Sequence, residues 1–403
     1  MPSLTSSEAA AVERAGAEPM LAEVEAWSAV NSGSRNLAGL ETVAGMLADA
    51  FSALPGEIAL RDPAPVDAMA ADGSLVPLLH GRHLHLKVRA DAPVQIVLTG
   101  HMDTVYGADH PFQALHWIKP GVLGGPGVAD MKGGLAVMLA ALKGVEASPV
   151  AARIGYEVVI NSDEEVGSPA SAALLAEAAR GKIAALTYEP AALPDGTLAG
   201  ARPGSGNFSL FVQGRSAHAG RNPEDGRNAV VAAADLALRL VKARGPRLSV
   251  NPAKIDGGGP NNVVPDSAVL RVNMRPATIE DQARAQAHLD GAVAMVSAEH
   301  DVTIHVHGGF ARPPKPLDPK AEALFRLVRR CGADLGQSID WRPSGGVCDG
   351  NNIAACGVPV VDTMGVRGGA IHSMDEYMIV DSLAERAGLS ALTIMRLATG
   401  EEL

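Results

Sequence analysis

The chain has 403 residues, of which 47% are hydrophobic and 20% are charged, and 45 acidic against 34 basic side chains give a net charge of −11. This composition suffices for a buried core and excludes a disordered, collagen-like or disulfide-stapled chain. The negative charge also argues against nucleic acid or an anionic membrane as a partner.

The N-terminal segment lacks the features of a secretion signal. Glu and Arg are scattered through residues 1–27, where a signal peptide needs an unbroken apolar core. The sequence also contains no run of 18 apolar residues that could span a membrane. Three cysteines without CxxC spacing predict neither a disulfide framework nor a structural zinc site. We therefore expect a cytoplasmic protein.

The first half of the chain predicts helices alternating with strands. Residues 7–49 have a helical pattern broken near 31–36, and residues 83–90 alternate in polarity like a half-buried strand. Short apolar runs typical of strands buried on both faces lie at residues 94–100, 154–160 and 183–188. Helical patterns separate them, the first at residues 131–144. This order predicts an α/β domain with a mostly parallel central sheet and helices on both faces.

After Pro203 the pattern changes to that of a second, smaller domain. Strands and helices follow in the order β-α-β-β-α-β, at residues 207–214, 226–243, 247–256, 268–275, 278–298 and 302–308. This is the split βαβ pattern of a ferredoxin-like domain. A proline-rich linker at 311–319 precedes a return to α/β character, with a buried strand at 357–365. We predict a ferredoxin-like α+β domain over residues 204–312, inserted into an α/β domain made of residues 1–203 and 313–403.

Potential metal ligands follow four of the predicted strands. They are His101 and Asp103, the run Asp163-Glu164-Glu165, Glu189, and His372. Because ligands of open α/β sheets bind outside the carboxyl ends of the strands, we expect these side chains to converge at one edge. Imidazole and carboxylate donors without a thiolate suit Zn²⁺, Mn²⁺ or Co²⁺. The sequence therefore predicts a metal site at this edge.

Spacing alone leaves the individual roles open. His101 and Asp103 lie on one side of an extended segment, so Asp103 either ligates or, as we favour, accepts the other ring N–H of His101. Glu164 and Glu165 are adjacent and diverge, so one of them can bind metal while the other faces a water molecule as general base. Taken singly, the His-x-Asp pair is more often a satisfied surface or core pair, and the acidic run is more often a solvated turn, so only their convergence predicts a site.

Five motifs together resemble the M20 family of metallopeptidases, and among its members most of all the carboxypeptidase G2 (glutamate carboxypeptidase) branch. They are GHMDTVYG at 100–107, GGPGVADMKGG at 124–134, NSDEEVGSPAS at 161–171, YEP at 188–190 and GGAIHSMDEY at 368–377. The resemblance implies a zinc-peptidase-like catalytic domain and identifies the inserted domain, residues 204–312, as a lid and dimerisation domain.

The resemblance also implies a role for each matching residue around the metal. Asp130 corresponds to a carboxylate that bridges two Zn²⁺ ions, with Co²⁺ or Mn²⁺ as alternatives. The further ligands implied are His101 and Glu189 for one ion, and Glu165 and His372 for the other. Asp103 would orient His101, and Glu164 would be the general base that activates the attacking water.

Three residues of the lid domain match further family motifs. RSAHAG at 215–220 resembles the motif whose histidine, here His218, stabilises the oxyanion in a neighbouring subunit's site, which implies a homodimer. Asn262 and Arg275 match lid residues that grip the carboxylate of the substrate. Arginine suits that task because its planar fork binds a carboxylate bidentately.

The activity implied is that of a dinuclear-metal hydrolase that releases a C-terminal, glutamate-like amino acid from small N-acyl or peptidyl substrates. The alternative is an N-acyl amino acid deacylase of the acetylornithine deacetylase or aminoacylase type. Less favoured are an aminopeptidase, because Asn262 and Arg275 suit a terminal carboxylate, and a catalytically silent binding protein, because the ligand set is complete. Arg367 lies shortly before His372, and we hypothesise that it helps to select an acidic or bulky substrate.

Overall fold

A computed structural model of the chain describes residues 4–401. The α-helices within them are α1 (Ser6–Gly16), α2 (Met20–Ser28), α3 (Leu37–Phe51), α4 (Gly133–Glu146), α5 (Ala172–Ala179), α6 (Ala229–Val241), α7 (Ile279–His300), α8 (Pro319–Asp334), α9 (Asp349–Ala355) and α10 (Ser382–Thr399). The strands are β1 (Glu57–Arg61), β2 (Asp67–Met69), β3 (Leu75–Pro77), β4 (His83–Val88), β5 (Val94–His101), β6 (His116–Lys119), β7 (Val122–Gly124), β8 (Ile154–Asn161), β9 (Ala184–Thr187), β10 (Leu198–Ala199), β11 (Ser205–Gln213), β12 (Leu248–Gly257), β13 (Ser267–Pro276), β14 (Thr303–Arg312), β15 (Trp341–Arg342), β16 (Val360–Val361), β17 (Gly368–Gly369) and β18 (Tyr377–Ile379). Among the described helices, none combines the length and the apolar character needed to cross a membrane.

The central sheet has six strands in the order β1-β4-β8-β5-β9-β16. Strands β8, β5, β9 and β16 run parallel, and β4 and β1 join antiparallel at one edge. Side chains of β5 alternate between two cores: Ile96 and Leu98 pack with the helices on one face, and Val97 with α5 and α9 on the other. This arrangement confirms the predicted α/β fold, because a strand covered on both faces must be apolar at successive positions.

Two strand predictions need correction. Residues 83–90 are not half-buried, because side chains on both faces of β4 are covered and Lys87 is the one exposed side chain of the strand. Over 357–365 only Val360 and Val361 form a regular parallel ladder with β9. Beyond them the pairing becomes irregular, with an isolated bridge between Thr363 and Tyr188. An apolar run therefore marked a buried segment correctly but overstated its length as a strand.

The inserted domain is a four-stranded antiparallel sheet in the order β12-β13-β11-β14, with the ferredoxin-like connectivity expected from the sequence. Helices α6 and α7 cover one face and share a separate apolar core with the sheet. The sheet begins at Ser205 and ends at Arg312, next to the domain boundaries at 204 and 312 that we propose.

The two segments that connect the lid to the α/β domain lie side by side. Arg202 and Lys315 exchange backbone hydrogen bonds of 2.9 and 3.0 Å. Their side chains also reach the same buried carboxylate, with Asp362 lying 2.7 Å from Arg202 Nε and 3.0 Å from Lys315 Nζ. Both ends of the lid are therefore attached to the α/β domain at one point.

Candidate active site

The predicted ligands meet at the carboxyl edge of the parallel strands. His101 is the last residue of β5, Glu164 and Glu165 lie in a short 3-10 turn after β8, and Glu189 follows β9. The remaining two are Asp130, in an irregular turn that precedes α4, and His372, in the loop between β17 and β18. The site thus combines three adjacent strand ends with two loops, as the strand-end rule requires.

The distances define two clusters that share one carboxylate. His101 Nε2 lies 3.2 Å from Asp130 Oδ1 and 3.7 Å from Glu189 Oε2. His372 Nε2 lies 3.2 Å from Asp130 Oδ2 and 3.2 Å from Glu165 Oε2. Because the two oxygens of Asp130 face different histidines, this carboxylate is placed to bridge two cations. The structure brings all five predicted ligands together.

The electrostatics of these groups fit divalent cations. Burial and the charge of Asp130 raise the pKa of Glu165 to about 8, and burial also raises the pKa of Glu189. Burial works in the same direction on Asp130, but hydrogen bonds from His101 and His372 keep its pKa below the ordinary value. Hydrogen bonds to Asp130 and Glu165 raise the pKa of His372 to about 11. Such a concentration of buried negative charge with nitrogen and oxygen donors suits Zn²⁺, Co²⁺ or Mn²⁺.

Asp103 orients more of the site than the sequence suggested. Its main-chain carbonyl lies 2.9 Å from Nδ1 of His101, nearer than its carboxylate at 3.5 Å. This contact leaves Nε2 of His101 free to face Asp130 and Glu189. The carboxylate instead accepts the backbone N–H groups of Glu164 and Glu165, each at 3.2 Å, and the Ser34 hydroxyl at 2.7 Å. One residue therefore fixes both His101 and the Glu164–Glu165 turn.

Glu164 has the surroundings expected of a general base. Its side chain is buried, and Oε1 lies 2.8 Å from Nη2 of Arg312. Burial raises the pKa of Glu164 to about 7, and the charge of Arg312 acts in the opposite direction. A carboxylate that titrates near neutrality can accept a proton and release it again.

Sequence reasoning missed Arg312 and Asp349. Besides Glu164, the Arg312 guanidinium reaches the Ser168 hydroxyl at 2.8 Å and Asp349 Oδ1 at 3.3 Å, and both charged side chains are buried. Arg312 falls at the end of a lid strand, inside the segment predicted as a linker, where no local pattern distinguishes it from a solvated arginine.

Arg275 is the predicted lid residue that reaches the site of its own chain. It lines a cavity of about 680 Å³ together with the metal-site carboxylates. The other arginines of the cavity, Arg202 and Arg312, are paired with Asp362 and with Glu164. Within residues 4–401, the Arg275 guanidinium donates hydrogen bonds to the Asn273 side chain and the Gly345 carbonyl, and it forms an ion pair with no carboxylate.

His218 and Asn262 lie next to each other on the lid but do not line this cavity. Both are exposed, and the backbone N–H of Ala219 donates to the Asn262 carbonyl at 2.9 Å. The structure of one chain therefore brings these two residues together without bringing them to the metal ligands.

Arg367 does not line this cavity, and its guanidinium is bound by other groups of the protein. Its Nη1 lies 2.8 Å from Glu385 of α10 and its Nε donates to the Pro194 carbonyl at 2.8 Å. We therefore expect Arg367→Ala to leave the ratio of kcat/KM values for acidic and neutral substrates unchanged. Loss of the ion pair should lower the free energy of unfolding by up to about 1 kcal/mol, measurable by urea denaturation. A changed substrate ratio would instead support the selection role inferred from the sequence.

The fold and this constellation define a metal-dependent hydrolase whose candidate ligands are histidines and carboxylates. Residues 97–396 match the model of peptidase family M20/M25/M40. The chain belongs to this family, which confirms the resemblance seen in the sequence.

Individual relatives agree with this assignment. The chain is 32% identical over 337 residues to carboxypeptidase G2 of Pseudomonas sp. (strain RS-16), covering 80% of this chain and 79% of that protein. It is 30% identical over 328 residues to succinyl-diaminopimelate desuccinylase of Stenotrophomonas maltophilia, covering 76% and 84%. An M20 family metallo-carboxypeptidase of Sulfolobus solfataricus has the same fold, with a TM-score of 0.69 at 15% identity over 95% of this chain and 100% of that one.

Proposed function

We propose that this protein is a dizinc hydrolase that cleaves an amide bond and releases an amino acid with a free carboxylate from an N-acyl or peptidyl substrate. The observation that carries the proposal is the cavity lined by the carboxylates of both ligand clusters, the buried Glu164, and Arg275, which forms no ion pair within residues 4–401. A cation at the wall of a candidate metal centre whose charge is balanced by no carboxylate of residues 4–401 suits a substrate carboxylate.

The metal ligands that we propose are the five residues of the two clusters. His101 and Glu189 would hold one Zn²⁺, Glu165 and His372 the other, and Asp130 would bridge them, with Co²⁺ or Mn²⁺ as alternatives. When bound, the two ions lower the pKa of the attacking water and polarise the scissile carbonyl.

Glu164 would act at the scissile amide bond, and Arg275 would act at the carboxylate of the leaving amino acid. Glu164 accepts a proton from the attacking water and returns it to the nitrogen of the leaving amine, so its carboxylate is regenerated in each cycle. Arg275 holds the carboxylate of the leaving amino acid and thereby sets which amide bond lies over the metal ligands. Asp103 keeps His101 and the turn that carries Glu164 in position.

A second subunit would complete the site. His218 and Asn262 are exposed on the lid and lie outside the cavity of their own chain, which supports a homodimer in which they serve the site of the partner. In that arrangement the partner subunit's His218 donates to the oxyanion, and Asn262 assists Arg275 with the carboxylate.

An N-acyl amino acid deacylase is the second candidate. Its support is the similarity to succinyl-diaminopimelate desuccinylase, whose name denotes removal of a succinyl group. Both candidates break an amide bond beside an amino acid with a free carboxylate. They differ in whether the other product is an amino acid or peptide, or a simple carboxylic acid, so a panel of N-acyl amino acids and dipeptides distinguishes them.

Arg275→Ala tests the carboxylate contact. We expect the KM for N-acyl amino acids to rise by about 10- to 100-fold, because a charge-assisted bidentate hydrogen bond is lost, with a smaller effect on kcat. Kinetics are measured on each substrate as the free acid and as the C-terminal carboxamide. The carboxamides should be poor substrates of the wild type and insensitive to the mutation. Equal hydrolysis of acids and amides by the wild type would contradict the proposal and favour an aminopeptidase.

A further inference from the structure

Glu376 is a buried carboxylate near the metal ligands to which the sequence assigned no role. Its side chain is 1% exposed. Oε1 accepts the backbone N–H groups of Ala129 at 3.0 Å and Asp130 at 3.1 Å, and Oε2 accepts that of Gly127 at 3.2 Å. One carboxylate thus satisfies three N–H groups of the turn that carries the bridging ligand.

This turn cannot satisfy those donors by itself. Asp130 (φ −117°, ψ 88°) and Met131 (φ −137°, ψ 33°) have non-helical backbone angles just before α4 begins. The first N–H groups of a helical segment lack internal partners, and a buried N–H group without an acceptor is unfavourable. Glu376 supplies acceptors in the place where the irregular turn needs them, so the conformation that presents Asp130 depends on it.

Glu376 also connects two metal-binding loops. It lies four residues after His372 on the same loop, whereas its three donors belong to the loop of Asp130. The contact therefore fastens the loops whose ligands, His372 Nε2 and Asp130 Oδ2, are 3.2 Å apart. We propose that Glu376 is a positioning residue of the metal centre, which fixes Asp130 relative to His372. This inference rests on the ligand roles proposed above for those two residues.

Other contacts hold the Glu376 loop in place independently of its side chain. Strand β18 pairs with β7, and the backbone N–H of Gly125 donates to the Glu376 carbonyl at 3.2 Å. The Tyr106 hydroxyl donates to the Ser373 carbonyl at 2.7 Å. A substitution that changes only the carboxylate should therefore alter the Asp130 turn and leave the loop folded.

Glu376→Gln makes that change with almost no difference in size. A glutamine side chain offers one acceptor oxygen, and its NH₂ group points donors at N–H groups that are themselves donors. We expect the affinity for Zn²⁺, measured by competition with a chromophoric chelator, to fall by about 10- to 100-fold, as for other residues that orient metal ligands. The absorption spectrum of the Co²⁺-substituted protein should also change.

Asp375→Asn is the matched control. Asp375 is exposed and adjacent, so the variant removes the same charge from the same loop without touching the turn. Its Zn²⁺ affinity and Co²⁺ spectrum should equal those of the wild type. If Glu376→Gln matches the wild type in both readouts, the inference is overturned, even if the melting temperature falls.

Two further results distinguish a folding defect, or a wrong proposed function, from a failure of the inference itself. If Glu376→Gln does not fold, Glu376→Asp retains the charge but is one methylene too short to reach all three donors, and wild-type Zn²⁺ affinity in that variant would overturn the inference. If the wild type itself fails to bind two equivalents of Zn²⁺, the proposed function is contradicted, and the proposed ligand roles fail with it.

Discussion

Glu164→Gln is expected to reduce kcat by a factor on the order of 10³ or more while the protein retains both metal ions. Glutamine preserves the size of the side chain and its contact with Arg312, but it cannot accept a proton from water, and a positioned general base contributes about 10²- to 10⁴-fold to a rate. Steady-state kinetics on an N-acyl amino acid, together with metal analysis of the purified variant, measure the two quantities separately.

The neighbouring residue provides the control for this experiment. Glu165→Gln makes the same chemical change one position along the chain, at a carboxylate that lies 3.2 Å from His372. It should lose metal from that cluster, whereas Glu164→Gln should not. Full activity in metal-loaded Glu164→Gln would exclude Glu164 as the base. Equal metal loss in both variants would show that Glu164 is a ligand.

Complementation between two inactive variants should restore activity if His218 serves the partner's site. His218→Ala and Glu164→Gln are each expected to be nearly inactive as homodimers. After unfolding and refolding together, roughly half of the dimers are mixed, and each mixed dimer has one site with an intact Glu164 and an intact partner His218. The mixture should therefore regain about a quarter of the wild-type activity.

A control without mixing and a size measurement complete the test. The two variants combined after separate refolding should stay inactive until subunits exchange, and light scattering should show a dimer throughout. A dimer without complementation would place the action of His218 within its own chain. A monomeric protein with full wild-type activity would contradict the two-subunit site as a whole.

Much of the catalytic domain was predictable because its signals are local. The run at 94–100 has the continuous apolar character of a strand covered on both faces, and β5 is found there with Ile96 and Val97 in different cores. Similarly, His101 ends β5 and Glu189 lies two residues beyond β9, so the order of the elements predicted that they would converge. The half-buried assignment of 83–90 failed because burial of β4 depends on what covers each face of the sheet, and its sequence does not contain that information.

By itself, the sequence determined the α/β class, the inserted domain and the types of candidate metal ligand, because strand and helix periodicity and strand-end polar residues are encoded within short segments. Only the tertiary structure decided which groups hold those ligands in place. Glu376 contacts the backbone of Asp130 from 246 residues away, and Arg312 contacts the carbonyl of Glu164 from 148 residues away. A single charged side chain that pairs across such sequence separations produces no periodic pattern in the sequence. Its role follows from burial, which removes water as the competing partner and makes each remaining contact necessary.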